Sequence, residues 1–416
     1  MESDPGARSF QPPADARPPS DPEELRVLYA ALDSFRQYRR AAHYNITHLR
    51  RQSFYSLPSA HMDLLSEPPF SLPETFDAVD DAIDCNADIA EAILTAGLSF
   101  FGVSLNDEFW KGQATPSDMD KARSTLRQLY RDWSYEGREE RLASYFTMIS
   151  ALDLYLPSHS REESPQRHQQ RILVPGAGLG RLAFDLCTEG YNVEGNEISY
   201  HQILAANYIL NCASAAGQHQ LYPWALNFSN HLTRTAQMGS VSVPDLHPCD
   251  MLRGTACGRM SVISGDFCEL YRRPKHADAF DGVATCFFID TAPNLINYIE
   301  TVTHCLKPGG IWVNEGPLLW HFEAGPTPAE QHKKRQSGGA NGHQQSGSHA
   351  SGGIGEPGSF ELSNDEVVAL VERLGFDILE QMQAAPRNTG YIQGPASMLQ
   401  SIYRPSFWVV RKRWNS

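Results

Sequence analysis

Three glycines at alternate positions follow a short apolar run near the middle of the chain. Residues 172–174 are Ile-Leu-Val, Pro175 ends the run, and the glycines stand at 176, 178 and 180. A run of this length is typical of a buried parallel strand, and a glycine turn lets the backbone approach a ligand closely. Helical spacing of apolar residues follows, so the stretch predicts a strand, a glycine loop and a helix.

A carboxylate stands near the end of the next predicted strand, Tyr191-Asn192-Val193. This residue is Glu197, about twenty positions after the first glycine of the loop. At this place in a βαβ unit, a carboxylate can accept hydrogen bonds from both hydroxyl groups of a ribose. The loop and the acid together therefore predict a bound nucleoside.

The spacing of the glycines separates two classes of nucleotide cofactor. The dinucleotide fingerprint GxGxxG needs glycine at position 181, where the chain has Arg181. Gly176, Gly178 and Gly180 give GxGxG instead, which looks like the S-adenosylmethionine loop of class I methyltransferases. An ordinary βα turn without a ligand and a nicotinamide oxidoreductase stay open as alternatives.

Two more acidic residues follow predicted strands. Asp266 and Phe267 come after the run 260–264, and an acid beside an aromatic ring can bond an adenine amino group and stack on the base. Asp290 follows the strongest predicted strand, 280–289, at the edge where ligands of open α/β sheets lie. The simpler interpretations are a core phenylalanine for Phe267 and a helix cap for Asp290.

The elements that must position these residues alternate between strand and helix. We therefore expect an α/β fold with a Rossmann-like sheet and helices on both of its faces. The first 160 residues show no strand pattern and predict a helical extension, with helices that begin at Asp21, Asp77, Ser117 and about Arg138. The segment between Leu221 and Asn230 interrupts the alternation and is expected to be an insertion that could cover the site.

Composition suggests how the chain is divided. Residues 1–20 are rich in proline and charge without periodicity, which predicts a disordered tail. Residues 21–160 are expected to be the helical region, and residues 161–416 the α/β domain. Within that domain, residues 325–358 are rich in Gly, Ser, Gln and His, which predicts a disordered insertion.

The net charge of −14 disfavours nucleic acid as a substrate, because phosphate contacts need clustered basic residues. A small neutral or cationic acceptor fits better. No apolar run approaches the length of about 20 residues that a bilayer requires, so we expect a soluble protein of the cytoplasm, with the nucleus left open. The eight cysteines include no CxxC pair and are interpreted as reduced core thiols, with no metal site.

The first predicted helix carries an apolar stripe that needs a covering surface. The stripe is followed by Arg36, Arg39 and Arg40, which are most simply a solvated face. A homodimer contact through the N-terminal helices is one way to cover the stripe. Its members are Leu25, Leu28, Tyr29, Leu32 and Phe35.

Longer strings resemble one family, the carnosine N-methyltransferases. The resemblance extends over residues 117–323 and 360–412 and implies a class I methyltransferase sheet that ends in an antiparallel hairpin. Between Ser401 and Tyr403 the chain keeps one tyrosine where the family has a tyrosine-rich run. The strings that carry the resemblance include ILVPGAGLGRLA at 172–183, ATCFFIDTA at 284–292, LKPGGIW at 306–312, GPLLWHF at 316–322 and FWVVRK at 407–412.

The resemblance also implies which residues bind S-adenosylmethionine. Pattern alone would place Gln128 and Arg131 on the surface, whereas the resemblance makes their helix a lid over the cofactor. Arg131 would then suit bidentate capture of the methionine carboxylate. The implied cofactor residues are Gln128, Arg131, Gly176, Gly178, Glu197, Asp266, Phe267 and Cys286.

By the same resemblance, the dipeptide would bind Asp290, His321, Tyr403 and Tyr391. Methyl transfer from a sulfonium is an in-line displacement that needs a neutral nitrogen lone pair on axis and the exclusion of water, but no metal. Asp290 could accept one imidazole N–H, which fixes the tautomer and presents the other nitrogen to the methyl group. His321 and Tyr403 would complete the pocket by hydrogen bonding and stacking.

The expected function is S-adenosylmethionine-dependent methylation of the imidazole of a histidine-containing dipeptide, which converts carnosine to anserine. Methylation of a histidine in a peptide or protein uses the same chemistry and is one alternative. A non-catalytic, cofactor-binding scaffold protein is the alternative from another class.

Overall fold

A computed structural model of the protein describes residues 18–156, 167, 169–254, 257–320, 358–382 and 388–414. Most of the predicted tail, residues 1–17, lies outside this part. So do His321 and residues 325–357 of the low-complexity segment. None of the helices in the described part is long and apolar enough to cross a membrane.

The centre of the structure is a seven-stranded sheet with the order β5-β2-β1-β6-β7-β9-β8. Strand β9 runs antiparallel to both of its neighbours, and the other pairs are parallel. A parallel sheet that ends in an antiparallel hairpin confirms the class I methyltransferase fold. The strands are β1 Arg171–Pro175, β2 Asn192–Glu197, β3 His219–Leu221, β4 Val241–Val243, β5 Met260–Ser264, β6 Phe280–Cys286, β7 Leu306–Gly316, β8 Phe376–Met382 and β9 Ser406–Lys412.

Strand β1 lies between β2 and β6, and the chain order reverses there. Ligands of open α/β sheets bind outside the carboxyl ends of the strands at such a switch point. Ile172, Leu173 and Val174 of β1 are buried, as the unbroken apolar run predicts for a strand covered on both faces. The switch point therefore brings the glycine loop after β1 beside the residues that follow β6.

In the described residues, seven helices precede β1, which agrees with the predicted helical extension, and the remaining helices connect the strands. Residues 43–48 and 208–212 are short π-helical turns that continue the helices before them. The helices are α1 Pro22–Ala42, α2 Leu49–Tyr55, α3 Ser59–Ser66, α4 Leu72–Phe101, α5 Pro116–Trp133, α6 Arg138–Ala143, α7 Tyr145–Tyr155, α8 Arg181–Thr188, α9 Tyr200–Asn207, α10 Arg234–Gln237, α11 Pro248–Leu252, α12 Phe267–Tyr271, α13 Leu295–Cys305 and α14 Asn364–Arg373.

Three predicted helix boundaries are wrong. Helix α4 begins at Leu72 rather than at Asp77. Helix α5 is capped by Thr115, which forms a reciprocal capping box with Asp118, so Ser117 already lies inside the helix. The helix predicted from Arg138 onwards is interrupted at Ser144 and continues as α7.

The apolar stripe of α1 is covered within the chain. Leu28, Leu32 and Phe35 are fully buried and belong to the main hydrophobic core, and α1 packs against α4 and α5. The other two members, Leu25 and Tyr29, are partly buried and pack against the same core. The stripe therefore does not need a homodimer contact to cover it. The guanidinium of Arg39 is partly exposed, as predicted, and it forms ion pairs of 2.5 to 2.8 Å with three carboxylates of α4, those of Asp84, Asp88 and Glu91.

The eight cysteines are free thiols, but fewer of them than predicted belong to the core. Cys187, Cys257 and Cys305 are buried, whereas Cys212 is exposed and the other four are partly buried. Helical and strand spacing at the surface of an element can resemble a core pattern, which explains the difference.

Candidate active site

A cavity of about 430 Å³ lies at the carboxyl ends of β1, β2, β5 and β6. Eleven of the twelve predicted site residues line it, although they come from six separate parts of the sequence. The twelfth, His321, lies outside the described residues. Those that line the cavity are Gln128, Arg131, Gly176, Gly178, Glu197, Asp266, Phe267, Cys286, Asp290, Tyr391 and Tyr403.

The glycine loop joins β1 to α8 and forms one wall of the cavity. Gly176 has a φ of +64°, and a Cβ atom there would lie 2.4 Å from Cδ2 of Phe288. Only glycine adopts this conformation without strain, and here a side chain would also collide with a ring. The backbone N–H of Gly178 donates to Oε2 of Glu197 at 2.9 Å, which ties the loop to the end of β2.

Glu197 is 6% exposed, and its carboxylate accepts three backbone hydrogen bonds. Besides Gly178, the N–H groups of Ile198 and Ser199 donate to Oε1, each at 2.9 Å. Burial raises the pKa of Glu197, whereas the three donors act in the opposite direction. A carboxylate accepts about four hydrogen bonds, so about one direction is left for a ligand hydroxyl rather than the two that we predicted.

Gln128 is buried, and the side chain of Arg131 is only 13% exposed, which corrects their interpretation as surface residues. Gln128 accepts a hydrogen bond of 3.0 Å from the side chain of Gln202 on α9. Nε of Arg131 donates to Oδ1 of Asp132 at 2.8 Å, and the guanidinium lies 4.5 Å from the centre of the Tyr391 ring. Helix α5 is thus a wall of the cavity, held between α9 and the segment that contains Tyr391.

A buried ion network fixes the end of α5 to α8. The carboxylate of Asp245, which lies between β4 and α11, pairs with Arg181 at 2.8 Å and with Arg141 at 3.0 Å. Arg181 also donates to the carbonyl oxygen of Asp132 at 2.8 Å, and Arg141 donates to the carbonyl oxygen of Arg131. The residue that excluded the dinucleotide fingerprint therefore connects the glycine-loop helix to the helix that carries Arg131.

Asp266 and Phe267 have structural roles, as the simpler interpretation expects, and both also line the cavity. Asp266 caps α12 by accepting the N–H of Glu269 at 2.9 Å, and it also lines the cavity. The buried ring of Phe267 packs against Phe288 and Tyr298, which in turn stack on each other at 4.9 Å. This aromatic cluster forms the apolar side of the cavity.

Asp290 lies in a short 3-10 turn, Ile289–Thr291, because β6 ends at Cys286 and not at residue 289. It is 3% exposed, and its Oδ2 accepts the N–H of Leu319 at 2.9 Å. The alternative that Asp290 caps the following helix is wrong, since Asn294 caps α13 by accepting the N–H of Ile296 at 3.0 Å. The backbone N–H of Leu319 instead holds this buried acid where it lines the cavity.

Tyr391 and Tyr403 come from an irregular segment before β9. Two backbone hydrogen bonds of 2.9 and 3.0 Å join Thr389 to Tyr403 and fold this segment back on itself. Both tyrosine rings pack around Phe287, with centroid distances of 5.2 Å for Tyr391 and 6.1 Å for Tyr403. Burial raises the pKa of Tyr391, so its hydroxyl stays protonated at neutral pH.

Several lining residues were missed by sequence reasoning. Phe287 and Phe288 had a signal, since two aromatic residues at the end of the strongest strand must border the crevice. Phe287 also has a φ of +52°, which no sequence pattern predicted. The missed residues are Asn196, Ile198, Gln202, Gly265, Phe287, Phe288, Thr291, Tyr298, Pro317 and Leu319.

A second cavity, of about 1140 Å³, adjoins the first, and Tyr391 and Tyr403 line both. The insertion forms one side of it, with Trp224 packed 5.0 Å from the ring of Tyr130. The expectation that the insertion covers the predicted site needs correction. The structure describes all of residues 221–230, and none of them lines the first cavity.

Comparison with known proteins agrees with this geometry. The sequence model of a family described as Carnosine N-methyltransferase matches residues 108–414. The Carnosine N-methyltransferase of Schizosaccharomyces pombe is 37% identical over 392 residues, which are 94% of this chain and 97% of that protein. The protein of the same name from Mus musculus is 34% identical over 392 residues, with 94% and 86% covered.

Solved structures are more distant. A magnesium protoporphyrin IX methyltransferase from Synechocystis, solved with bound SAH, aligns over 71% of this chain and 95% of its own with 13% identity. Its TM-score of 0.35 is too low to support a conclusion, so the fold assignment rests on the strand order. The family model and the sequence relatives are sufficient for the family itself: the chain belongs to the carnosine N-methyltransferase family.

Proposed function

We propose that this protein transfers a methyl group from S-adenosylmethionine to an imidazole nitrogen of a histidine-containing dipeptide, converting carnosine to anserine. One observation carries the proposal. A glycine loop with a buried acid and, separately, the buried carboxylate of Asp290 line the same cavity, together with two tyrosines. The two sequence relatives are named as carnosine N-methyltransferases, which suggests carnosine as the acceptor.

The residues on the cofactor side fit the proposed cofactor. Any Cβ atom at position 176 would fill the space beside the loop. The carboxylate of Glu197 can accept about one further hydrogen bond, from a ribose hydroxyl. Arg131 is suited to the methionine carboxylate, and Asp266 with Phe267 to the adenine. When bound, S-adenosylmethionine supplies a sulfonium methyl group that is open to attack by a neutral nitrogen.

The residues on the acceptor side orient the imidazole. Asp290 accepts one ring N–H, so that the opposite nitrogen keeps its lone pair and points away from the acid. As the nitrogen–carbon bond forms, the ring becomes cationic, and the buried carboxylate of Asp290 stabilises that charge and can take the N–H proton. Tyr391, Tyr403 and Phe287 exclude water from the reacting nitrogen.

His321 belongs to this proposal through the family resemblance. It lies in the string GPLLWHF, one residue beyond Trp320, where the described part stops. We assign it a hydrogen bond to the acceptor. The acidic net charge supports a small acceptor over nucleic acid, and a cytoplasmic location agrees with a free dipeptide substrate.

An acceptor competition tests the proposal. The purified chain is incubated with methyl-labelled S-adenosylmethionine and either carnosine, a longer histidine-containing peptide or β-alanylalanine. We expect label in carnosine and none in β-alanylalanine, which has no imidazole. Label in the longer peptide alone would favour the peptide or protein histidine methyltransferase. Cofactor binding without any transfer would favour the scaffold protein.

A further inference from the structure

Arg127 lies on α5, one helical turn before Arg131, and lines the second cavity instead of the first. Its Nη2 donates to the carbonyl oxygen of Ile392 at 3.0 Å, and its guanidinium lies 4.9 Å from the centre of the Trp224 ring. Tyr391, the residue before Ile392, lines both cavities. Arg127 is therefore a cation at the boundary between the two.

The charge of Arg127 is not matched by an acid. Among the residues that the structure describes, none forms an ion pair of 4.0 Å or less with its guanidinium. Glu140 is near enough to act on it, but its two carboxylate oxygens accept the N–H groups of Ile392 and Gln393, each at 2.8 Å. Arg127 is an exposed residue that faces the second cavity, and desolvation by the surrounding walls lowers its pKa.

Neighbouring arginines of the same helix differ in this respect. Arg131 pairs with Asp132 at 2.8 Å, and Arg123, which lines the same cavity as Arg127, pairs with Asp120. A guanidinium that lines a cavity, stacks on an aromatic ring and has donors to spare is a typical carboxylate site, because its planar fork bonds both oxygens at once.

A histidine-containing dipeptide brings such a carboxylate. The imidazole ring and the terminal carboxylate of carnosine belong to the same residue, so the distance between them is only a few ångströms. With the imidazole against Asp290, the carboxylate extends towards the boundary formed by Tyr391 and Tyr403. We infer that Arg127 binds the acceptor's carboxylate and makes the enzyme selective for acceptors with a free one. This inference rests on the proposed function and adds the second cavity to it.

Binding measurements with a change on each partner test this inference. Calorimetry on the full chain saturated with S-adenosylhomocysteine would compare carnosine with its carboxamide. We expect the wild type to bind the carboxamide about 10- to 100-fold more weakly, as for loss of a hydrogen-bonded charge. Arg127→Gln should bind both ligands with affinities that differ less than about twofold, because the group that distinguishes them is gone.

Arg123→Gln is the matched control and should discriminate as the wild type does. The inference is overturned if the wild type binds both ligands equally, or if Arg127→Gln keeps the wild-type ratio. Arg127→Lys, which keeps the charge without the planar fork, should fall between the two and covers the outcome that the glutamine variant does not fold. A chain that binds carnosine with this selectivity but never methylates it would contradict the proposed function alone.

Discussion

The cofactor side and the acceptor side of the active-site cavity are built in different ways. The cofactor side consists of the glycine loop and Glu197, which lie at the ends of two adjacent strands and are joined by backbone hydrogen bonds. The acceptor side consists of Asp290 in a turn and of two tyrosines in an irregular segment about a hundred residues later. Under the proposed function, the ends of regular strands hold the residues for the shared cofactor, and irregular segments hold the residues that select the acceptor.

The strongest way to separate the two sides is Asp290→Asn. An amide cannot take up the proton or stabilise the cationic ring, so we expect turnover to fall by about 10² to 10⁴-fold. Cofactor affinity should change less than about twofold, since Asp290 belongs to the acceptor side. Steady-state kinetics and calorimetry measure the two quantities. Asp281→Asn, at the start of β6, the strand that precedes the turn of Asp290, is the control, because Asp281 pairs there with Lys307. Unchanged turnover in Asp290→Asn would remove this residue from the mechanism.

The next largest effect is expected for Asp245→Asn, which acts on the cofactor side alone. The substitution leaves the buried guanidiniums of Arg141 and Arg181 without their shared carboxylate, so the free energy of unfolding should fall by about 3 kcal/mol. Cofactor affinity should fall as well, because the network fixes the helix that carries Arg131. Denaturant unfolding and calorimetry would show both. The exposed pair of Asp377 with Arg413 supplies a control, Asp377→Asn, that should cost less than about 1 kcal/mol.

Two glycines with similar backbone angles distinguish strain from steric collision on the cofactor side. Gly176→Ala should cost about 2 kcal/mol of unfolding free energy and weaken cofactor binding at least about tenfold, since its Cβ meets Phe288. Gly112 has a φ of +74° with nothing within 4 Å of an added Cβ. Gly112→Ala should therefore cost about 1 kcal/mol and leave binding unchanged. Equal binding by the two variants would show that the loop does not approach the cofactor.

The smallest expected effect is a change in stability at His43, in the N-terminal helices, away from both the cofactor side and the acceptor side of the cavity. Burial lowers the pKa of His43, but hydrogen bonds to Asp84 and Asp80 raise it more, so its pKa is above the ordinary value of 6.5. Those acids also pair with Arg39 and Arg51. A raised folded pKa stabilises the protein fully below pH 6.5 and loses that contribution as pH rises through the folded value.

The pH dependence of unfolding tests this directly. The difference between the wild type and His43→Gln should be about 1 kcal/mol at pH 5.5 and should shrink towards pH 8.5. Cofactor affinity should be the same in both proteins at each pH. A difference that grows with pH would mean that His43 is neutral in the folded protein.

Local patterns predicted the cofactor side well. An apolar strand, alternate glycines and an acid at the next strand end lie within 26 residues, and the backbone geometry of the loop follows from them. The antiparallel order of β7, β9 and β8 came from the family resemblance and is confirmed. The start of α5 was missed because Thr115 and Ser117 are both good caps, and only Thr115 completes its box with Asp118.

Burial of polar residues is what the patterns could not predict. Gln128 and Arg131 stand on a helix rich in charge, and only packing against α9 and the segment around Tyr391 places them inside. The ion pairs of Arg39 could not be predicted either, because its acidic partners lie about 50 residues away on α4. Contacts of this kind depend on how elements pack, so they cannot be predicted from the spacing of residues within one element.

The position of the methyl group on the product tests the central claim most directly. If Asp290 holds one ring nitrogen while the cofactor side presents the methyl group, the enzyme makes a single ring isomer of methylated carnosine. Nuclear magnetic resonance of the product, formed with ¹³C-methyl S-adenosylmethionine, distinguishes the two isomers. We expect one isomer, the one present in anserine. Comparable amounts of both isomers would show that the imidazole is not oriented by the acceptor side.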